Sequence, residues 1–91
     1  MMDMKELITQ LIEDYNAYSE LIALNREHIK EGRGEREILE WNRGQHNYIS
    51  NLLSKLAADA RIKLQYEYGP HPFGFDDWKR TLEYRTVRAI D

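Results

Sequence analysis

The sequence predicts an all-α fold, in which a long antiparallel helical hairpin is followed by a short third helix near the C-terminus. Three observations support this prediction: an apolar heptad stripe early in the chain, a second apolar stripe of helical period, and a pair of glycines between them. The chain has 91 residues and no cysteine, which suits one domain whose core no disulfide reinforces. We therefore expect a single domain, residues 1–91, with a thin core.

The first predicted helix covers residues 3–31. Asp3 is suited to cap its N-terminus, with Glu6 three residues later. Asn25 is the position at which the apolar stripe becomes polar, and such a residue often fixes the register of packed helices. The stripe itself has heptad spacing and contains Met4, Ile8, Leu11, Tyr15, Tyr18, Ile22 and Ile29.

The second predicted helix covers residues 35–66 and runs back along the first. Gly32 and Gly34 supply a C-cap and a tight reversal. A turn centred on Arg33 places Leu11 opposite Leu56 in the hairpin. The inward stripe of this helix is predicted to be Ile38, Trp41, Gln45, Ile49, Leu52, Leu56 and Ala60.

The C-terminal third of the chain permits two interpretations. Leu64 and Tyr68 continue the helical stripe, but Ile62, Leu64, Tyr66 and Tyr68 also alternate with polar residues as in a strand. We prefer the helix, because a strand would need a partner that only residues 81–90 supply. A loop over 69–74 and a third helix over 76–90 complete this prediction, and a hairpin followed by a small C-terminal β-hairpin, an α+β fold, is the alternative.

Charge and composition disfavour several classes of partner. The net charge is −3, and residues 1–34 carry seven acids against four bases, while the rest of the chain is balanced. A duplex-binding protein needs a basic face, so nucleic acid remains a weak alternative that rests on Arg80, Arg85 and Arg88. The absence of cysteine and of any long apolar run predicts a cytoplasmic protein without a membrane segment.

Neither catalysis nor metal binding is expected. The serines on the predicted helices have no glycine elbow around them, and cysteine is absent. The three histidines, His28, His46 and His71, have none of the spacings of known metal motifs. We therefore predict a non-enzymatic protein without a metal or cofactor.

Two segments are candidate binding sites. Residues 41–48 interrupt an apolar helix with polar side chains and with Gly44, which suggests the close approach of a backbone or a ligand. Residues 66–78 are dense in aromatic side chains, which either pin the C-terminal segment to the hairpin or form an interface. A solvated helix face explains the first segment without a ligand. The candidate residues are Tyr18, Asn25, Trp41, Arg43, His46, Tyr48, Tyr68, Phe73, Phe75 and Trp78.

The function predicted from these features is a homo-oligomeric protein-interaction module, most simply a dimer, that regulates or inhibits another protein. The alternative is a protein that sequesters a small nucleotide-like ligand with Tyr18, Trp41, Arg43 and His46. In size and architecture the chain resembles the small helical proteins with which bacteriophages and mobile elements inhibit host machinery, including hairpin proteins that sequester nucleotide signals. That resemblance implies an anti-defence role and rests on no diagnostic motif.

Overall fold

The computed structural model describes residues 3–70 and 82–90, which form two helices and a two-stranded antiparallel sheet. Helix α1 covers Met4–Lys30 and helix α2 covers Arg36–Asp59. Strand β1 covers Lys63–Pro70 and strand β2 covers Glu83–Ile90, and in the sheet Tyr66 pairs with Val87. The helical hairpin is therefore confirmed, with a small β-hairpin packed beside it.

The all-α prediction is wrong, because residues 63–70 and 83–90 are strands in an α+β fold. Helix α2 ends at Asp59, not at residue 66, and the predicted helix over 76–90 is a strand from Glu83 onward. The observed arrangement is the one that the sequence left as an alternative. Residues 76–81 of the predicted third helix and positions 71–74 of the predicted loop lie outside the described residues.

Both ends of the first helix follow from local sequence. The Glu6 N–H donates to Asp3 Oδ1 at 2.8 Å, which confirms the predicted N-cap. At the other end the Arg33 N–H donates to the His28 carbonyl at 2.8 Å, and Gly32 has a φ of 78°. This is the glycine C-cap predicted from the sequence, in its Schellman form.

The same device ends helix α2 without a glycine. The Ile62 N–H donates to the Ala57 carbonyl at 2.8 Å, and Arg61 has a φ of 57°. A left-handed conformation at a residue with a Cβ costs about 1–2 kcal/mol. The chain bears this cost at the point where it changes from helix to strand, because the next residues pair with β2.

The core lies between the hairpin and one face of the sheet. Its buried cluster consists of Ile8, Leu11 and Tyr15 from α1, Ile49 and Leu53 from α2, and Val87 from β2. The predicted inward stripe of α2 is wrong at Ile38 and Trp41, which are exposed, while Leu53 is fully buried. The sheet explains this difference, because it covers the hairpin from one side. The buried face of α2 is therefore the side that includes Leu53, and Trp41 lies on the uncovered side.

Strand β2 is attached to α1 by a side chain that imitates a neighbouring strand. Asn16 Nδ2 donates to the Val87 carbonyl at 3.0 Å, and the Val87 N–H donates to Asn16 Oδ1 at 2.8 Å. These bonds satisfy backbone groups on the edge of β2 that faces away from β1. Asn16 therefore both anchors the sheet and closes part of its open edge.

Candidate functional site

The hairpin has two candidate binding surfaces, on opposite sides. We call the first the outer face, which consists of Leu21, Ile38, Trp41 and Tyr48 with Tyr18 beside them. Trp41 is 60% exposed and Tyr48 is 66% exposed, and Ile38 and Leu21 are about half-exposed. The rings of Tyr18 and Trp41 lie 6.2 Å apart, which joins the two helices across this surface.

The outer face points away from the sheet. On α1, Asn16 binds β2, and Tyr18 is two residues further on, about 160° around the helix. On α2, His46 faces the sheet, where it lines a pocket with Arg85 of β2, and Tyr48 is again two residues further on. The sheet therefore covers one side of the hairpin and leaves the other side uncovered by any described residue.

We call the second surface the cleft, which lies between the hairpin and the sheet. It has a volume of about 330 Å³. The polar and basic side chains in its lining include Tyr15, Ser19, Arg26, Arg43, His46 and Arg85. A larger groove of about 580 Å³ continues from it toward the hairpin turn and shares Arg26, Arg43 and Tyr68 with it. Both helices and both strands thus contribute to one concave surface.

A polar pair between the two helices forms the floor of the cleft. Ser19 Oγ and His46 Nε2 share a hydrogen bond of 2.7 Å, and the His46 ring lies 4.2 Å from the Tyr15 ring. Burial lowers the pKa of His46, and the nearby Arg85 guanidinium lowers it further, so the imidazole is neutral at neutral pH. Burial raises the pKa of Tyr15, and Arg85 opposes that rise.

Arg85 is the best-positioned cation in the cleft. Its guanidinium lies 5.9 Å from the centroid of the Tyr66 ring, and it acts on Tyr15 by opposing the rise in pKa that burial causes. The rings of Tyr15 and Tyr66 also meet edge to face at 5.8 Å. The aromatic contacts therefore hold the guanidinium at the mouth of the cleft.

The Ser19–His46 pair resembles part of a nucleophilic dyad, but its surroundings do not complete one. Ser19 is 4% exposed, which leaves a substrate little approach to its hydroxyl. Within residues 3–70 and 82–90, His46 forms no hydrogen bond or ion pair with a carboxylate that would orient the ring.

The structure divides the predicted site residues between the two surfaces. Tyr18, Trp41 and Tyr48 belong to the outer face, while Arg43, His46 and Tyr68 line the cleft. The sequence-based hypothesis assigned Tyr18, Trp41, Arg43 and His46 to one ligand. The two aromatic residues therefore lie on a different side of the hairpin from Arg43 and His46. Phe73, Phe75 and Trp78 lie outside the described residues.

Sequence reasoning missed Tyr15 and Ser19 as site residues, and it considered Arg85 only for the nucleic-acid alternative and not for this site. The hairpin register already contained a signal for Ser19, because a turn near Arg33 brings this residue close to positions 46–48. Arg85 had no such signal, since its position depends on a strand that was predicted to be a helix.

Gly44 also differs from expectation: a Cβ placed there would meet no atom within 4 Å, so no close backbone contact requires glycine.

Asn25 is placed inside the hairpin, with its Nδ2 buried and without a hydrogen-bond partner. A buried donor without a partner costs about 1–3 kcal/mol. We therefore expect Asn25→Leu to raise the free energy of unfolding by about 1–2 kcal/mol, as measured by urea denaturation. A loss of stability in this variant would show that the amide contributes more to packing than its unpaired group costs.

The chain matches no protein-family model, no curated protein and no solved structure. Across the described residues, no helix combines the length and the apolar character needed to cross a membrane. The same residues contain no group of three or more side chains suited to holding a metal ion.

Proposed function

We propose that this chain is a small protein-interaction module that pairs with a second copy of itself through the outer face. The observation that supports this proposal is the exposure of Leu21, Ile38, Trp41 and Tyr48 on one side of the hairpin. Contiguous apolar surface of this kind in a small protein is typical of an interaction site. Tryptophan and tyrosine are also the residues that most often dominate binding energy at interfaces.

The side of the hairpin that carries the outer face is large enough for a dimer interface. Helix α1 has 27 residues and is therefore about 40 Å long, and two packed helices are roughly 20 Å wide. Their product is about 800 Å², which is the area that each partner contributes to an interface of standard size. Two hairpins packed through this face form a four-helix arrangement with a two-fold axis, the commonest symmetry of homo-oligomers.

A second copy is the partner that the energetics favour. The protein has a thin core without disulfides, so burying Trp41 and Tyr48 against another hairpin adds apolar burial that the monomer lacks. The cytoplasmic location, which follows from the absence of cysteine, belongs to the same proposal. The regulation or inhibition of another protein, expected from the sequence, stays a prediction.

We expect Trp41→Ala to weaken self-association by at least about 30-fold in Kd, because the loss of an aromatic hot spot costs 2 kcal/mol or more. Sedimentation velocity over a concentration series measures this change. Far-UV circular dichroism checks that the helices remain, since Trp41 is mostly exposed.

Tyr68→Ala is the matched control for this experiment. Tyr68 is 69% exposed, as much as the aromatic residues of the outer face, but it lies on β1 at the cleft. We expect this variant to dimerise as the unmodified protein does. A monomeric unmodified protein at about 100 μM, or equal weakening by Tyr68→Ala, would refute the proposal.

A further inference from the structure

We infer that the cleft binds a small phosphate ester, held by the guanidinium groups of Arg26, Arg43 and Arg85 above the Ser19–His46 pair. This site is on the other side of the hairpin from the outer face, so the inference does not depend on the proposed dimer.

The charge of the cleft is opposite to that of the protein. Its lining contains three arginines and one acid, Glu83, which gives a local charge of +2 in a chain whose net charge is −3. Further acids lie at its border: Glu27 and Glu40 line the adjoining groove, and Glu20 adds to the effect of burial in raising the pKa of Tyr84. Bases concentrated in a concavity of an acidic protein favour an anionic ligand.

The arginines are available to a ligand to different degrees. Arg26 forms no ion pair with any described residue, and Arg43 forms a long ion pair of 3.4 Å with Glu40, in which both side chains are at least half-exposed. Exposed pairs of this kind contribute little to stability, so Arg43 can exchange Glu40 for a ligand at small cost. Two of the three arginines, Arg26 and Arg43, are thus available to bind a ligand.

Arg85 lines the cleft and contacts an aromatic ring in the absence of any ligand. This contact with the Tyr66 ring restricts the positions of its planar guanidinium. A planar fork of donors matches two oxygens of a phosphate group, and a preordered side chain loses less entropy on binding. Phosphate chemistry therefore fits this cation better than a single carboxylate oxygen does.

The rest of the cleft suits an uncharged, hydrogen-bonding part of the ligand. The neutral His46 and Asn47 supply hydrogen-bonding groups, and Tyr68 and Tyr84 add aromatic surface. The volume of about 330 Å³ lies at the lower end of the range for small-molecule sites. A sugar phosphate or a mononucleotide is of this size class, whereas a polymer is not.

The test uses three probes at constant ionic strength: inorganic phosphate, ribose 5-phosphate and adenosine 5′-monophosphate. We expect at least one ester to bind with a Kd of about 0.1–1 mM by calorimetry, tighter than inorganic phosphate. The ring signals of His46, identified by their loss in His46→Gln, should shift during the same titration. Absence of binding by all three probes at about 10 mM, or equal binding of inorganic phosphate and the esters, would overturn the inference.

Arg26→Gln is the decisive variant, because Arg26 is exposed and forms no ion pair, within residues 3–70 and 82–90, whose loss would disturb the fold. We expect it to weaken binding of the ester about tenfold, and we expect Arg33→Gln, in the hairpin turn, to leave binding unchanged. Equal weakening by both variants would show a non-specific charge effect and overturn the site. Binding of the ester should persist in Trp41→Ala, which separates this inference from the proposed dimer.

Discussion

Replacing Asn16 with leucine is expected to lower the free energy of unfolding by about 3 kcal/mol and to loosen the sheet from the hairpin. The substitution removes both hydrogen bonds between the Asn16 amide and the Val87 backbone. Val87 is 3% exposed, so its N–H and carbonyl are left with little access to water. Each unsatisfied buried group costs about 1–3 kcal/mol. Urea denaturation measures the loss of stability.

Hydrogen exchange locates this effect within the fold. In Asn16→Leu the amides of β1 and β2 should exchange faster, while those of the hairpin change less, because the strands depend on this attachment. Asn51→Leu is the control, since Asn51 is an exposed asparagine on α2. If both variants lose the same stability, or if the strand amides stay protected, the account of Asn16 as the anchor of the sheet is wrong.

Replacing Gly34 with alanine is expected to destabilise the protein by about 2–3 kcal/mol. A Cβ at this position would lie 2.7 Å from Ile29 Cγ1 and 2.8 Å from the Ile29 backbone nitrogen. The side-chain atom can move, but the backbone atom belongs to the last turn of α1 and cannot move without opening the hairpin turn. Thermal unfolding followed by circular dichroism measures this change.

Gly44→Ala is the matched comparison, and its effect on stability is expected to have the opposite sign. The same methyl group there meets no atom within 4 Å, and alanine in a helix is favoured over glycine by about 1 kcal/mol. We expect this variant to be more stable than the unmodified protein. If both alanine variants change stability in the same direction, close packing at Gly34 is not the cause.

The hairpin was predictable because its signals are local. A heptad stripe, the Asp3 cap and the Gly32 C-cap each depend on residues within one or two helical turns. The strands were not predictable in this way, because Leu64 and Tyr68 satisfy both a helical and an alternating period. What decides between them is a partner about 20 residues away, together with the attachment of that partner to Asn16.

The candidate site was predictable in part for the same reason. Arg43 and His46 were singled out by a polar interruption in an apolar helix, and both line the cleft. Their partners Ser19 and Arg85 come from α1 and β2, so they become neighbours only when the tertiary structure forms. Trp41 was assigned to the interior of the hairpin, because the sequence does not show from which side the sheet covers it.

The location of the outer face and the cleft on opposite sides of the hairpin has a consequence for the proposed assembly. Two hairpins joined back to back direct their clefts away from one another, toward bulk solvent. Such an assembly is bivalent, and occupancy of one cleft leaves the entrance of the other unobstructed. A molecule that carries two phosphate groups on a sufficiently long spacer would then bind with an avidity that a monomeric variant lacks.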